Sequence, residues 1–134
     1  MIAESGKAIE QTQNSFDSTL EARKKTLLPE EAQKILPPLY AQEKKGGMAI
    51  AYIKMFTPSS SWTWWITEGQ NEGEDFIMFG LVEGFEKELG YISLNELASV
   101  TGPMGLPIER DLHFTPTTLK DIAPELFRDN EDGR

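Results

Sequence analysis

Three groups of side chains in this sequence have the types and spacing that chemistry needs. The first lies in Ile108-Glu109-Arg110-Asp111-Leu112-His113-Phe114. Read as a strand, its period of two puts Glu109, Asp111 and His113 on one face, with Arg110 and Leu112 opposite. Two carboxylates and an imidazole on one face could bind a divalent metal or share a proton, the residue set of a small metal-binding protein or hydrolase. The plainer account is a solvent-facing edge strand whose acids pair with Arg or Lys. Metal sites usually take ligands from several elements, and a calcium cage needs more oxygens than this. The second group is Trp62, Trp64 and Trp65. On a strand Trp62 and Trp64 share a face and Trp65 opposes them; exposed, the pair could stack on bases or sugar rings, and buried it is core. The third is an acidic band, Glu68, Glu72, Glu74, Asp75, Glu83, Glu86 and Glu88, seven carboxylates in 21 residues relieved only by Lys87. Such a band is either a solvated rim of loops or a surface that imitates duplex phosphates and fills a basic channel in a partner.

The charge balance sharpens the third group. The chain has 134 residues, with 13 Lys+Arg against 22 Asp+Glu, a net charge of -9 and a pI near 4.6. Residues 1–48 hold seven bases and seven acids, so the whole imbalance belongs to residues 49–134, with six bases and fifteen acids. Direct phosphate binding needs clustered Lys and Arg and is disfavoured. The absence of cysteine excludes disulfides, thiolate metal sites and a Cys nucleophile. Walker-type loops, dinucleotide fingerprints, nucleophile elbows and His-Glu-x-x-His are also missing. Residues 1–20 include Glu4, Glu10 and Asp17 and have no unbroken apolar run, so neither an export signal nor a membrane span is expected, and the expected location is cytoplasmic.

The elements that must position these groups are short. A length near 134 residues and 39% hydrophobic content fit one domain. Residues 1–26 form a polar N-terminal segment, a marginal helix or disordered, with Ile9, Phe16 and Leu20 on one narrow stripe. A helix is predicted over 28–36, with Pro29 at its first position, Glu30 and Glu31 in its first turn, an inward face of Ala32, Ile35 and Leu36, and Pro37-Pro38 as its stop. Strands are predicted over 48–56, 62–67, 75–82, 88–93 and 108–114, with a polar turn over 69–74. In the first strand Ala49, Ala51, Ile53 and Met55 share a face. Loops this short impose antiparallel pairing. Ser93-Leu94-Asn95-Glu96 is a capping box that opens a helix ending near Gly102-Pro103, and Thr117 or Thr118 caps a last turn closed by Pro124. The sum is α+β: a single domain over 27–124, a mostly antiparallel sheet with short helices packed on it, and a charged tail over 125–134.

Over residues 27–122 the chain resembles an uncharacterised family of small bacterial proteins, a domain of unknown function found on plasmids, phages and other mobile elements. The stretches Leu36-Pro37-Pro38-Leu39-Tyr40-Ala41-Gln42-Glu43, Lys54-Met55-Phe56-Thr57-Pro58, Trp62-Thr63-Trp64, Phe79-Gly80-Leu81-Val82, Glu88-Leu89-Gly90-Tyr91-Ile92-Ser93-Leu94 and Ile108-Glu109-Arg110-Asp111 carry the resemblance. It transfers no catalytic residue and implies a mobile-element context, in which small proteins act against or hide from host defence; no cofactor is expected. Together with the localised charge, this leads to the expectation of a non-enzymatic inhibitor. Through Glu72, Glu74, Asp75, Glu83, Glu86 and Glu88 it would mimic nucleic acid and bind the basic surface of a host protein or nucleoprotein complex, such as a CRISPR effector or restriction enzyme. The alternatives are a metal-binding protein or hydrolase using Glu109, Asp111 and His113, and a generic interaction domain, dimeric through its aromatic strands.

Overall fold

The computed structural model of the chain describes residues 19–128. Of the expected N-terminal stripe, Ile9 and Phe16 lie outside the described residues. Residues 19–27 form a helix, α1, and α2 is a single turn, Glu30–Gln33. Five strands then build one antiparallel sheet: β2 (Ile53–Phe56), β3 (Thr63–Glu72), β4 (Asp75–Glu83), β5 (Lys87–Ser93) and β6 (Glu109–Arg110), in the order β5-β4-β3-β2-β6. A separate pair joins β1 (Ile50–Ala51) to β7 (Thr117–Thr118). The helix α3 (Leu94–Ser99) follows β5, and α4 (Leu119–Ile122) and α5 (Pro124–Phe127) end the described chain. The α+β class and the antiparallel pairing are as expected.

Alternation along the strands sends apolar side chains to both faces of the sheet, because each Cβ points opposite to the next. On one face Ile53, Met55, Trp64, Ile66, Phe76, Met78 and Ile92 pack against Leu27, Leu28, Ala32 and Leu36 and against Leu94 and Leu97 of α3. On the other, Leu81 packs with Ala49, Ala51, Leu119, Ala123 and Phe127, with Trp65 partly buried beside them. One sheet therefore separates two small cores.

Several expected boundaries move, each for a physical reason. The strand over 48–56 is broken: Met48 closes a 3-10 segment over Glu43–Met48, and the ladder is interrupted at Tyr52. Ala49, Ala51, Ile53 and Met55 are all buried as their shared face requires, but the break sends the first two into the second core. Pro29 is the N-cap of α2 instead of its first helical residue, and Ile35, expected inside, is exposed while Leu36 is buried. The polar stretch 69–72 is not a turn. It continues β3 to Glu72, and a two-residue turn follows with Gly73 at φ 75°, the glycine position of a type II′ hairpin. The strand over 108–114 stops at Arg110, where the Asp111 side chain accepts the His113 N–H at 2.9 Å and the chain turns.

Both capping residues are placed as expected: Ser93 Oγ accepts the Glu96 N–H at 3.1 Å and Thr118 Oγ accepts the Asp121 N–H at 3.3 Å. The α3 helix is shorter than expected and ends at Ser99. Pro124 follows α4, which ends at Ile122 as expected, and opens α5, whose Phe127 is only 4% exposed and packs in the second core, so residues 125–127 of the expected tail belong to the described domain. A Lys87 Nζ bond to Glu125 Oε2 at 2.8 Å ties α5 to β5. Removing the Phe127 ring should leave a cavity in the second core. Phe127→Ala is expected to cost roughly 3–5 kcal/mol in urea unfolding, and an unchanged midpoint would remove 124–127 from the core.

Candidate functional site

The acidic band does not form one patch. Glu72 and Glu74 stand at the β3–β4 turn and Glu83, Glu86 and Glu88 at the β4–β5 turn. Eight strand steps along β4 separate the two groups by about 27 Å. Glu72, Glu74, Glu86 and Glu88 are exposed, and among the described residues none is in an ion pair. Glu83 is half-buried, and its charge adds to that of Glu125 in holding the Lys87 ammonium above its ordinary pKa, the Glu125 hydrogen bond being the main cause.

Asp75 belongs to the fold. Its carboxylate accepts the Ser93 hydroxyl at 2.5 Å, the Phe76 N–H at 2.7 Å and the Asn95 N–H at 3.0 Å, joining β4 to the start of α3. Burial opposes its ionisation, but the bonds from Ser93, Asn95 and Phe76, with the charge of Lys24, outweigh that and hold the carboxyl below the usual value of 3.8.

The cluster over 109–113 disperses for the same local reasons. Glu109 and His113 are exposed. Asp111 closes the turn and lies 3.9 Å from Lys54 Nζ. Arg110 Nε donates to the Leu27 carbonyl at 3.0 Å and so caps the end of α1. Among the described residues, no group of three or more His, Asp or Glu side chains stands where it could hold a metal ion. Of the two readings of the tryptophans, the core one describes Trp64, which is buried, with Trp62 packed against it at 6.1 Å between ring centroids. Phe85, 96% exposed, caps Trp62 edge-on at 5.7 Å, and Trp65 lies on the opposite face beside the second core.

The arrangement with most chemical character is built around Glu68, which the sequence showed only as one acid of the band. In β3 the pairing shifts between Ile66 and Glu68, leaving Thr67 as the extra residue of a β-bulge. Gly80 permits it, because a Cβ there would stand 1.9 Å from the Trp65 carbonyl oxygen. Past the bulge the Glu68 side chain, 3% exposed, is turned inward. Its Oε1 accepts the Tyr40 N–H and its Oε2 the Gln42 N–H, each at 2.8 Å. Gln42, also buried, bridges Ile50 and Thr67: its Nε2 donates to both carbonyls at 2.9 Å and its Oε1 accepts the Ile50 N–H at 2.8 Å. Tyr40 sits at φ 74°, a left-handed conformation that costs about 1–2 kcal/mol for a residue with a side chain. The Glu68 bond to its N–H offsets that cost.

Tyr40, Gln42, Glu68, Phe79, Leu89 and Tyr91 line a cavity of about 180 Å³ between this loop and the outer strands. Tyr91 meets Tyr40 edge-on at 6.5 Å and Phe79 at 5.1 Å. The Tyr91 phenol has a raised pKa because its O–H donates to Tyr40 and that bond favours the protonated form, helped by desolvation and by the charges of Tyr40, Glu43 and Glu68. No local signal marks this site: residues 40, 68, 79 and 91 come from four separate elements, and a bulge is needed to point Glu68 at them.

A family model described as "Protein of unknown function (DUF2958)" matches residues 27–123. No curated protein and no solved structure matches the chain. No described helix is long and apolar enough to cross a membrane.

Two substitutions separate the roles of these carboxylates. Glu68→Ala orphans two backbone N–H groups, at about 1–3 kcal/mol for each that stays buried, so a loss of stability is expected; thermal melts equal to wild type would refute it. Asp75 has a lowered folded pKa, so its contribution is fully present above about pH 5 and disappears as pH falls through the folded value, below 3.8. Asp75→Asn is therefore expected to be less stable than wild type at pH 7, with the gap closing towards pH 2 in urea titrations. A gap independent of pH would contradict this linkage.

Proposed function

From the premise that the chain belongs to the DUF2958 family, described as proteins of unknown function, we propose that it is a non-enzymatic acidic interaction protein that docks on a basic surface of a partner. The observation that carries this is the exposure of Glu72, Glu74, Glu86 and Glu88, none of them ion-paired among the described residues, on a chain of net charge -9. Glu83 sits at the edge of the second acidic group; Asp75, engaged by Ser93, Phe76 and Asn95, is left out of the docking set. Acids in fixed positions on a rigid hairpin steer a basic partner and raise its association rate by 10–10³-fold in order of magnitude, more at low salt.

The partner class we propose is a nucleic-acid-handling complex of host defence, such as a CRISPR effector or a restriction enzyme, with the protein acting in the cytoplasm as an inhibitor encoded on a mobile element. Support for this comes from the chemistry of the surface. Two acidic groups about 27 Å apart match the rise of about eight base pairs along a duplex strand at 3.4 Å each. A channel built for a phosphate backbone presents the Lys and Arg that such groups require, and the net charge of -9 on the protein itself disfavours direct phosphate binding.

Affinity capture from a host lysate with the full chain, followed by mass spectrometry and binding measurements on the purified partner, tests this. The partner is expected to be a nucleic-acid-handling protein whose association slows about tenfold or more in the quadruple variant Glu72→Lys, Glu74→Lys, Glu86→Lys and Glu88→Lys. An unchanged rate in that variant, with its fold intact by circular dichroism, would sink the charge-mimicry mechanism.

A further inference from the structure

The cavity beneath Tyr40 and Tyr91 has a composition that selects its occupant. Three aromatic rings, Tyr40, Phe79 and Tyr91, form its walls. The two charged side chains that line it, Glu43 and Glu68, are both carboxylates. Among the described residues neither is paired with a cation. Glu68 accepts one N–H on each oxygen, and a carboxylate offers about four acceptor positions, so it retains acceptor capacity. A carboxylate this buried gains most from a counter-charge, because the dielectric around it is low. Aromatic faces are electron-rich and attract cations in the same place. An anion would meet two carboxylates and is excluded.

We infer that this cavity binds an alkylammonium or guanidinium group, held against the Tyr40, Phe79 and Tyr91 rings that line it, with Glu68 and Glu43 as its counter-charges. At about 180 Å³ the cavity is slightly larger than the roughly 150 Å³ that accommodates benzene in a protein interior. That is room for the end of a lysine or arginine side chain, or for a small free amine. The inference stands apart from the docking of Glu72, Glu74, Glu86 and Glu88, which lie at the two ends of the hairpin, and does not require their partner.

The test is an NMR titration of the isotope-labelled full chain, following the amide signals of Tyr40, Glu68 and Tyr91. The probes are N-acetyl-lysine amide, N-acetyl-arginine amide and putrescine, with N-acetyl-norleucine amide as the neutral control. Saturable shifts confined to the cavity are expected with the cations and not with norleucine. Tighter binding of the capped residues assigns the group to a protein side chain; tighter binding of putrescine assigns it to a free amine. Glu68→Gln should weaken binding at least tenfold. Tyr91→Ala and Glu43→Gln, at exposed positions, should each weaken it about two- to tenfold, in keeping with a single cation–π or charge contact. Norleucine binding equal to that of lysine, no shifts with any cation, or wild-type affinity in Tyr91→Ala and Glu43→Gln would each overturn the inference.

Discussion

The Glu68 carboxylate, buried against the backbone of Tyr40 and Gln42, is the interaction on which most of the second face depends. The chain between Pro38 and Ala49 has little regular structure of its own, only 3-10 turns, and its polar backbone groups have to be satisfied from elsewhere. Glu68 accepts two of the N–H groups, and Gln42 then reaches across to Ile50 and Thr67. These two side chains fasten the loop to β3 and set where β1 begins. The β1–β7 pair, α4 and the second core follow from that placement. A buried carboxylate without a cation is costly, and it persists here because hydrogen bonds meet both oxygens.

The acids of one sequence band have three different fates, decided by their surroundings. Glu68 is buried by the bulge at Thr67. Asp75 begins β4 beside Ser93 and Asn95, where three donors converge on it. Glu72, Glu74, Glu86 and Glu88 are exposed at turns and strand ends. The first two carboxylates contribute to stability and to the shape of a cavity; Glu72, Glu74, Glu86 and Glu88 make no ion pair among the described residues and are available to a partner. The same division holds at 109–111, where Arg110 caps a helix and Asp111 closes a turn.

Much of the fold was legible because it is local. Alternation in 75–82 and 88–93 placed β4 and β5 to within a residue, and the Ser93 and Thr118 caps depend on side chains three residues from the N–H they accept. Period two also put Ala49, Ala51, Ile53 and Met55 on one face, and all four are buried. It failed over 109–113, since Asp111 offers the backbone a competing hydrogen bond that ends the strand. Gln70, Asn71 and Glu72 read as a turn because they are polar, yet they pair with Ile77, Phe76 and Asp75 at the exposed end of a hairpin. Phe127 looked like part of a charged tail because nothing in its neighbourhood reveals Ala49 and Leu119, which bury it.

By itself the sequence determined the sign and location of the charge, the antiparallel order of short strands and the capped starts of two helices. Those properties depend on composition and on neighbours within a few positions. Only the tertiary structure decided which acids face solvent, which are absorbed into the fold, and that Tyr40, Glu68, Phe79 and Tyr91 surround one cavity. Burial and convergence are set by contacts between elements far apart in the chain. A bulge of one residue in β3 is enough to reverse the direction of Glu68, and no periodicity in the sequence marks it.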